Sequence, residues 1–138
     1  MTPEQIALVQ SGFPKVAAIR DTAAQLFYAR LFQLDPSLES LFHGDMKRQG
    51  RKLMDAMAFV VDGLNDLDGI LPAIRDLGRR HAGYGVDPRH YQTVGAALLW
   101  TLERGLGDDF TDDTRRAWAA AYGLLSSAMI EAGTREAA

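Results

Sequence analysis

The sequence predicts an all-α protein with six or more helices joined by short links. In six stretches apolar residues recur three and four positions apart, which is the spacing of one face of an α-helix. No stretch sustains the alternation of apolar and polar residues that is typical of a half-buried strand. The 138 residues suffice for one substantial core, so we predict a single domain over residues 1–138.

The first predicted helix begins at Thr2. Its hydroxyl can cap the helix, Pro3 suits the first helical position, and Gln5 completes a capping box. We expect Gly12 and Pro14 to end or kink this helix, because proline has no amide hydrogen and its ring collides with the preceding turn.

Two long helices follow. The second spans about residues 20–34 and ends before Pro36, because a residue that precedes proline is disfavoured in the helical conformation. After a short turn at residues 37–42, the third covers roughly residues 46–64. Gln49 is a polar member of its apolar stripe.

The fourth predicted helix, residues 70–81, carries a histidine on its apolar face. Ile70, Ile74 and His81 share one stripe, and the glycines at residues 83 and 85 are suited to a left-handed cap. An inward histidine near a helix end is either a hydrogen-bonded core residue or the single protein ligand of a metal or haem iron. This helix alone does not decide between the two.

The last two helices have clear starting signals. Asp87 followed by Pro88 predicts a capped helix that runs to about Leu106. Thr111 is expected to cap the final helix, and the acidic residues 112 and 113 suit the positive end of its dipole.

Composition excludes several kinds of site. The absence of cysteine excludes disulfides, thiolate-ligated haem, cysteine-bound iron–sulfur clusters and cysteine zinc sites. With three histidines in the chain, a multi-histidine metal site is not expected, and we place His43 and His90 at the surface or in loops.

Charge and hydropathy limit the partners. A net charge of −3 argues against nucleic acid and anionic membranes. The N-terminus lacks the pattern of a signal peptide, and no apolar run approaches the ~20 residues that span a bilayer. We therefore expect no membrane association and a cytoplasmic location.

Three polar side chains fall on predicted inward faces of three different helices: Tyr28, Gln49 and His81. Taken singly, they are compatible with a tethered core tyrosine, a helix-edge glutamine and a core histidine. Together they fit a haem pocket, which needs an iron ligand on one side, hydrogen-bond donors on the other and apolar walls.

Several motifs, at matching spacing, make the chain resemble one family over about residues 6–129. They are Phe27-Tyr28-Ala-Arg-Leu-Phe32, Asp35-Pro36, Leu41-Phe42, Leu77-Gly-Arg-Arg-His81, Tyr84-Gly85-Val86, His90-Tyr91, Val94-Gly95, Ala117-Trp118 and Tyr122-Gly123. The chain is similar in these motifs to bacterial single-domain haemoglobins of the Vitreoscilla haemoglobin and flavohaemoglobin lineage. The resemblance implies a globin fold of six to eight helices around a haem pocket.

The resemblance also implies a role for each site residue. His81 would be the proximal ligand of the haem iron, and Phe42 would stack on the haem. Tyr28 and Gln49 would hydrogen-bond the bound diatomic ligand, beside the apolar wall of Leu53. Tyr91 and Val94 would line the proximal side of the haem. Lys52 and Arg80 would each pair with a haem propionate.

One position departs from the family pattern. The family places a tyrosine and a glutamate near the proximal histidine; Tyr91 fits, but Gly133 stands where the glutamate is expected. Glu131 lies two residues earlier, which rotates it by ~200° around the helix. The resemblance therefore implies weaker peroxidase-like chemistry here than in the family.

The function implied by the resemblance is reversible binding of oxygen, and also of NO and CO, by a haem b protein that serves oxygen transport or storage. Nitric oxide dioxygenation is the alternative. The sequence has no dinucleotide-binding fingerprint, so we expect that activity to need an external reductase. A haem-sensing globin would need an output domain, and a haem-free helical interaction module is the more distant reading. The protein is expected to be a monomer or a homodimer.

Overall fold

The computed structural model describes the backbone of residues 1–137 and the side chains of residues 1–134. The α-helices are α1 (Pro3–Ala18), α2 (Arg20–Leu34), α3 (Met46–Asp62), α4 (Leu67–Gly83), α5 (His90–Leu106) and α6 (Asp112–Ala137). Two short 3-10 helices, Pro36–Leu41 and Gly107–Asp109, complete the secondary structure. Residues 1–137 contain no strand, which confirms the predicted all-α class with six to eight helices.

The first helix is longer than the sequence predicted. The capping box forms as expected between Thr2 and Gln5. Helix α1 continues through Pro14 to Ala18, so of the two predicted outcomes, an end or a kink, the end is wrong. Pro14 is exposed, whereas Phe13 and Val16 on either side of it are buried. Burial of these side chains holds the last turn in place despite the missing backbone hydrogen bond.

Two other boundaries also moved. Asp66 caps α4 by accepting a hydrogen bond from the Gly69 amide, so the helix begins before residue 70. The fifth helix begins at His90, and the predicted start at Asp87 is wrong. The carboxylate of Asp87 accepts a hydrogen bond from the Arg89 amide and stabilises a separate turn there. The α2 bounds are as predicted, and α3 ends at Asp62, two residues early.

The helices enclose three apolar clusters. The largest joins α1, α3, α5 and α6 around buried residues that include Val9, Leu102 and Trp118. A second joins α2, the first 3-10 helix and α5 around Phe27 and Leu31. The third joins α4, α5 and α6. Half-buried side chains pack against the second cluster, and they include four of the nine predicted site residues: Tyr28, Phe42, Leu53 and Val94.

Long apolar segments are absent from the folded part of the chain. Within residues 1–137, every helix is too short or too polar to pass through a lipid bilayer.

Candidate functional site

Helix α4 holds His81 at its C-terminal end. Ile70, Ile74 and Gly78 on the same stripe are buried, as the spacing predicted. The helix then closes with a Schellman motif: the Val86 amide donates to the His81 carbonyl, and Gly85 adopts a φ of +94°. This cap fixes the backbone of His81 and confirms the predicted left-handed glycine.

The imidazole of His81 has one defined hydrogen bond. Its Nδ1 lies 2.7 Å from the carbonyl oxygen of Leu77, one turn earlier on α4. A carbonyl only accepts, so Nδ1 carries the hydrogen and Nε2 keeps a free lone pair. Desolvation by burial, together with the charge of Arg80, lowers the pKa of His81 below its ordinary value, although the Leu77 bond acts in the other direction. The side chain is therefore a neutral imidazole with Nε2 available to a metal ion.

Tyr28 lies on α2 within an aromatic group. Its ring meets the rings of Phe27 and Phe42 edge to face, with centroids 5.1 and 5.3 Å away, and stacks on Phe32. Burial raises the pKa of Tyr28 to about 12, so the hydroxyl stays protonated at physiological pH. Tyr28 is thus a fixed, neutral hydrogen-bond donor among apolar walls.

The structure brings Gln49 to Tyr28 through its backbone. The Tyr28 hydroxyl donates to the Gln49 carbonyl oxygen at 3.4 Å, which is near the outer limit of a hydrogen bond. Gly50 makes this approach of α3 to α2 feasible, because a Cβ there would lie 2.8 Å from the Cβ of Ala24. Leu53, one turn beyond Gln49, is half-buried against the same apolar cluster.

Phe42 and Val94 border this cluster from two other elements. Phe42 follows the first 3-10 helix in extended conformation and is half-buried, with its ring 5.5 Å from that of Phe32. Val94 reaches the cluster from α5. Tyr28, Phe42, Leu53 and Val94 are therefore brought together, although they are distant in sequence.

Tyr91 lies in the neighbouring cluster with residues of α4 and α6. It is buried, and this burial raises the pKa of its hydroxyl. The Tyr122 hydroxyl donates to the Tyr91 carbonyl at 2.6 Å, and the ring of Tyr122 packs over Gly95. Sequence reasoning did not assign Tyr122 this anchoring of α5, and the motif Tyr122-Gly123 was its only signal.

His90 corrects another expectation. It was placed at the surface or in a loop, but it begins α5 and its side chain is only 11% exposed. Its Nδ1 accepts a hydrogen bond from the Asp87 amide at 3.0 Å, which pulls the imidazole under the turn that follows α4. His43 is exposed, as expected.

Lys52 and Arg80 both lie on exposed faces. Arg80 forms an exposed ion pair with Asp76, at 3.1 Å, within α4. Lys52 belongs to a cationic segment that comprises Lys47, Arg48, Arg51 and Lys52 at the start of α3. No acidic residue occupies the first turn of α3, although the helix dipole favours acidic residues there. Asp45 caps the helix, so residues 45–52 together carry a net charge of +3, and this excess beside Gln49 and Leu53 suits the carboxylates of a bound group.

The missing proximal glutamate has a structural reason. A Cβ at Gly133 would lie 3.1 Å from the Cβ of Ala82 and from the Gly78 carbonyl oxygen. Helices α4 and α6 thus approach closely at Gly133, so a larger side chain there would have to push α4 away by a few tenths of an ångström. Glu131 is exposed.

These residues fit a haem better than a metal ion held by several side chains. Within residues 1–137 no group of three or more acidic, histidine or cysteine residues could hold a metal ion. One neutral histidine, one half-buried hydroxyl donor, half-buried apolar walls and a cationic edge suit a haem. Two open cavities of about 350 Å³ each lie elsewhere on the molecule and are lined by other residues.

Comparison with known proteins also points to a haem protein. A protein-family model described as Globin matches residues 25–129. Flavohemoprotein from Vibrio cholerae is 31% identical over 134 residues, covering 95% of this chain and 34% of that protein. Flavohemoprotein from Bacillus subtilis is 32% identical over 128 residues, and this match covers 91% of this chain and 32% of that protein. The chain thus spans about a third of the length of these curated relatives.

Solved structures share the whole fold. A bacterial globin from Campylobacter jejuni superposes with a TM-score of 0.86 at 23% identity, covering 99% of both chains. An engineered carbene transferase from Rhodothermus marinus, whose parent is described as a proposed nitric oxide dioxygenase, gives a TM-score of 0.90 at 25% identity. The superposition covers 99% of this chain and 96% of the Rhodothermus chain.

Proposed function

This chain belongs to the globin family, and we propose that it binds haem b and reversibly binds molecular oxygen, with NO and CO as further ligands. The observation that carries this proposal is the His81 imidazole, whose Nδ1 donates to the Leu77 carbonyl and leaves Nε2 free to ligate iron. The absence of cysteine favours haem b over a haem attached through thioether bonds.

Each predicted site residue has a defined task in this proposal. His81 would ligate the iron, and Phe42, Leu53, Tyr91 and Val94 would contact the macrocycle. The cationic segment, through Lys52, would pair with a propionate, and Arg80 would share its charge between Asp76 and the other propionate. The bound haem would supply the ferrous iron at which a diatomic ligand is taken up.

Tyr28 would stabilise that ligand. A diatomic ligand with partial negative charge attracts a fixed donor, and a dry apolar wall strengthens the attraction. The present bond from Tyr28 to the Gln49 carbonyl is long, so turning the hydroxyl toward a ligand sacrifices little energy. The Gln49 amide would be the second donor.

The partner of His81 favours reversible binding over redox chemistry. A carboxylate would draw the Nδ1 proton and make the imidazole more electron-rich, whereas a backbone carbonyl accepts the hydrogen bond without taking the proton. The glycine at residue 133 keeps a carboxylate away from that helix position.

The direct test is an absorption spectrum of the purified protein in the oxidised, reduced and CO-treated reduced states. We expect a Soret band that shifts sharply with CO, and a pyridine haemochrome spectrum of the b type. A protein that shows no band after haem is supplied would be a helical interaction module, and the proposal would fail.

Replacing Tyr28 with phenylalanine should accelerate oxygen dissociation by about ten- to a hundredfold, because hydrogen bonds to charged partners contribute ~1.5–3 kcal/mol. Stopped-flow displacement of oxygen by CO measures this rate. Tyr84→Phe is the matched control, since Tyr84 lies near His81 but is 66% exposed. Equal rates in Tyr28→Phe and the wild type would remove Tyr28 from the ligand site.

Nitric oxide dioxygenation is the second candidate, favoured by similarity to the Rhodothermus protein and to flavohemoproteins. One nitric oxide, one oxygen and one electron give one nitrate, so sustained turnover needs an external reductase as partner. Catalytic nitrate formation with added reductase and reductant would support this activity. One nitrate per haem, followed by arrest despite reductant, would restrict the protein to reversible binding.

A further inference from the structure

A cavity of about 350 Å³ that is open to solvent lies between α2, α5 and the start of α6, apart from every residue assigned to the haem site. Its apolar surface comes from Leu34, Leu99 and Trp100, and Leu34 is 42% exposed. The volume lies at the lower end of the range for small-molecule sites. A ligand with a compact apolar body would cover this surface.

Two arginines line the cavity, and a third stacks on its tryptophan. The guanidinium of Arg30 lies 5.2 Å from the centroid of Trp100, and that of Arg104 lies 3.9 Å from it. Arg115 lines the same cavity and pairs with Glu103 at 3.1 Å. The lining thus contains two guanidinium groups, Arg30 and Arg115, and one carboxylate, Glu103, although the whole chain carries a net charge of −3. This local excess of positive charge is complementary to an anion.

Arg30 has hydrogen-bonding capacity that the protein does not use. Its Nε is buried and has no partner among the described residues. Its Nη1 reaches Gln33 only at 3.5 Å, the limit of a hydrogen bond. The Nε is closed off from the cavity, so a ligand would meet the terminal Nη groups, which lie in one plane and match the two oxygens of a carboxylate.

We propose that this cavity binds a small organic anion with one carboxylate and a flat apolar body. The carboxylate would pair with Arg30, and the apolar body would lie over Leu34, Leu99 and the edge of Trp100. A neutral ligand would leave Arg30 without an anionic partner, and an inorganic anion would leave the apolar surface uncovered. The proposal does not depend on the proposed haem function.

The test compares two probes of equal shape, 2-naphthoate and its neutral amide, 2-naphthamide. The protein is saturated with CO so that the carboxylate cannot ligate an iron, and binding is followed by the indole N–H resonances of the two tryptophans. Trp100 lines the cavity, whereas Trp118 is buried in a different cluster and is the internal reference.

We expect 2-naphthoate to shift the Trp100 resonance saturably with a dissociation constant of about 1 mM or tighter, the affinity typical for a ligand of this size. The Trp118 resonance should stay in place, and 2-naphthamide should bind at least about tenfold more weakly. Equal binding of the two probes, or no shift of the Trp100 resonance, would overturn the proposal. This part of the test needs only the wild-type protein.

The Arg30→Gln variant should bind 2-naphthoate about tenfold more weakly, because it loses a charge-assisted hydrogen bond. Arg20→Gln is the matched control: Arg20 lies on the same helix, pairs with Asp55 and does not line the cavity. Unchanged affinity in folded Arg30→Gln, as judged by circular dichroism, would show that Arg30 does not hold the anion.

Discussion

The His81→Gly variant should fold but lose haem, with an affinity reduced by more than about a hundredfold. Loss of a hydrogen-bond partner to a metal ligand already costs up to about a hundredfold, and here the ligand itself is removed. Transfer of haem to an acceptor globin measures the loss, and the Soret region reports the iron ligation.

Two controls make the result specific. His43→Gly removes an exposed histidine and should retain haem as the wild type does. Imidazole added to His81→Gly should enter the vacated space and restore the wild-type spectrum, because the Leu77 carbonyl that orients the ring is still present. If His81→Gly keeps an unchanged spectrum without imidazole, another residue ligates the iron.

The inward position of His81 could be predicted from the sequence, because helical spacing alone assigns residues 70, 74 and 81 to one face. The end of α4 could be predicted too, since glycine is the residue that tolerates the φ of +94° found at Gly85. The bond from His81 to the Leu77 carbonyl could not. It depends on a side-chain rotamer selected by tertiary packing, and no residue pattern specifies that choice.

Errors arose where a local signal competed with long-range contacts. Pro14 signals a helix end, but Phe13 and Val16 are buried against other helices and keep α1 intact. Asp87-Pro88 signals a helix start, but Asp87 instead stabilises a turn under which His90 is buried. The roles assigned to the individual site residues stay predictions, and the variants above test those of Tyr28 and His81.

The distance between two packed helices cannot be read from a residue pattern. The sequence shows glycine at residue 133, where the family pattern has glutamate. In the structure, Gly133 of α6 lies against Gly78 of α4. A Cβ on Gly78 would lie 2.6 Å from the Cα of Met129 and closer still to its carbonyl oxygen. Backbone cannot turn away as a flexible side chain can, so α4 and α6 stay this close only with glycine at residue 78.

The Gly78→Ala variant should therefore lose about 2–3 kcal/mol of unfolding free energy and roughly 10 °C in Tm, because overpacking against the α6 backbone outweighs the higher helix propensity of alanine. Denaturant unfolding, compared at equal haem content, measures the loss. Gly123→Ala on α6 is the matched control: no atom lies within 4 Å of a Cβ there, so the same change should stabilise the protein by about 0.5–1 kcal/mol. His81 follows Gly78 by three residues on α4, so the forced separation of α4 and α6 should also speed haem loss in Gly78→Ala. A Gly78→Ala protein as stable as Gly123→Ala would mean that the two helices are not held at this distance.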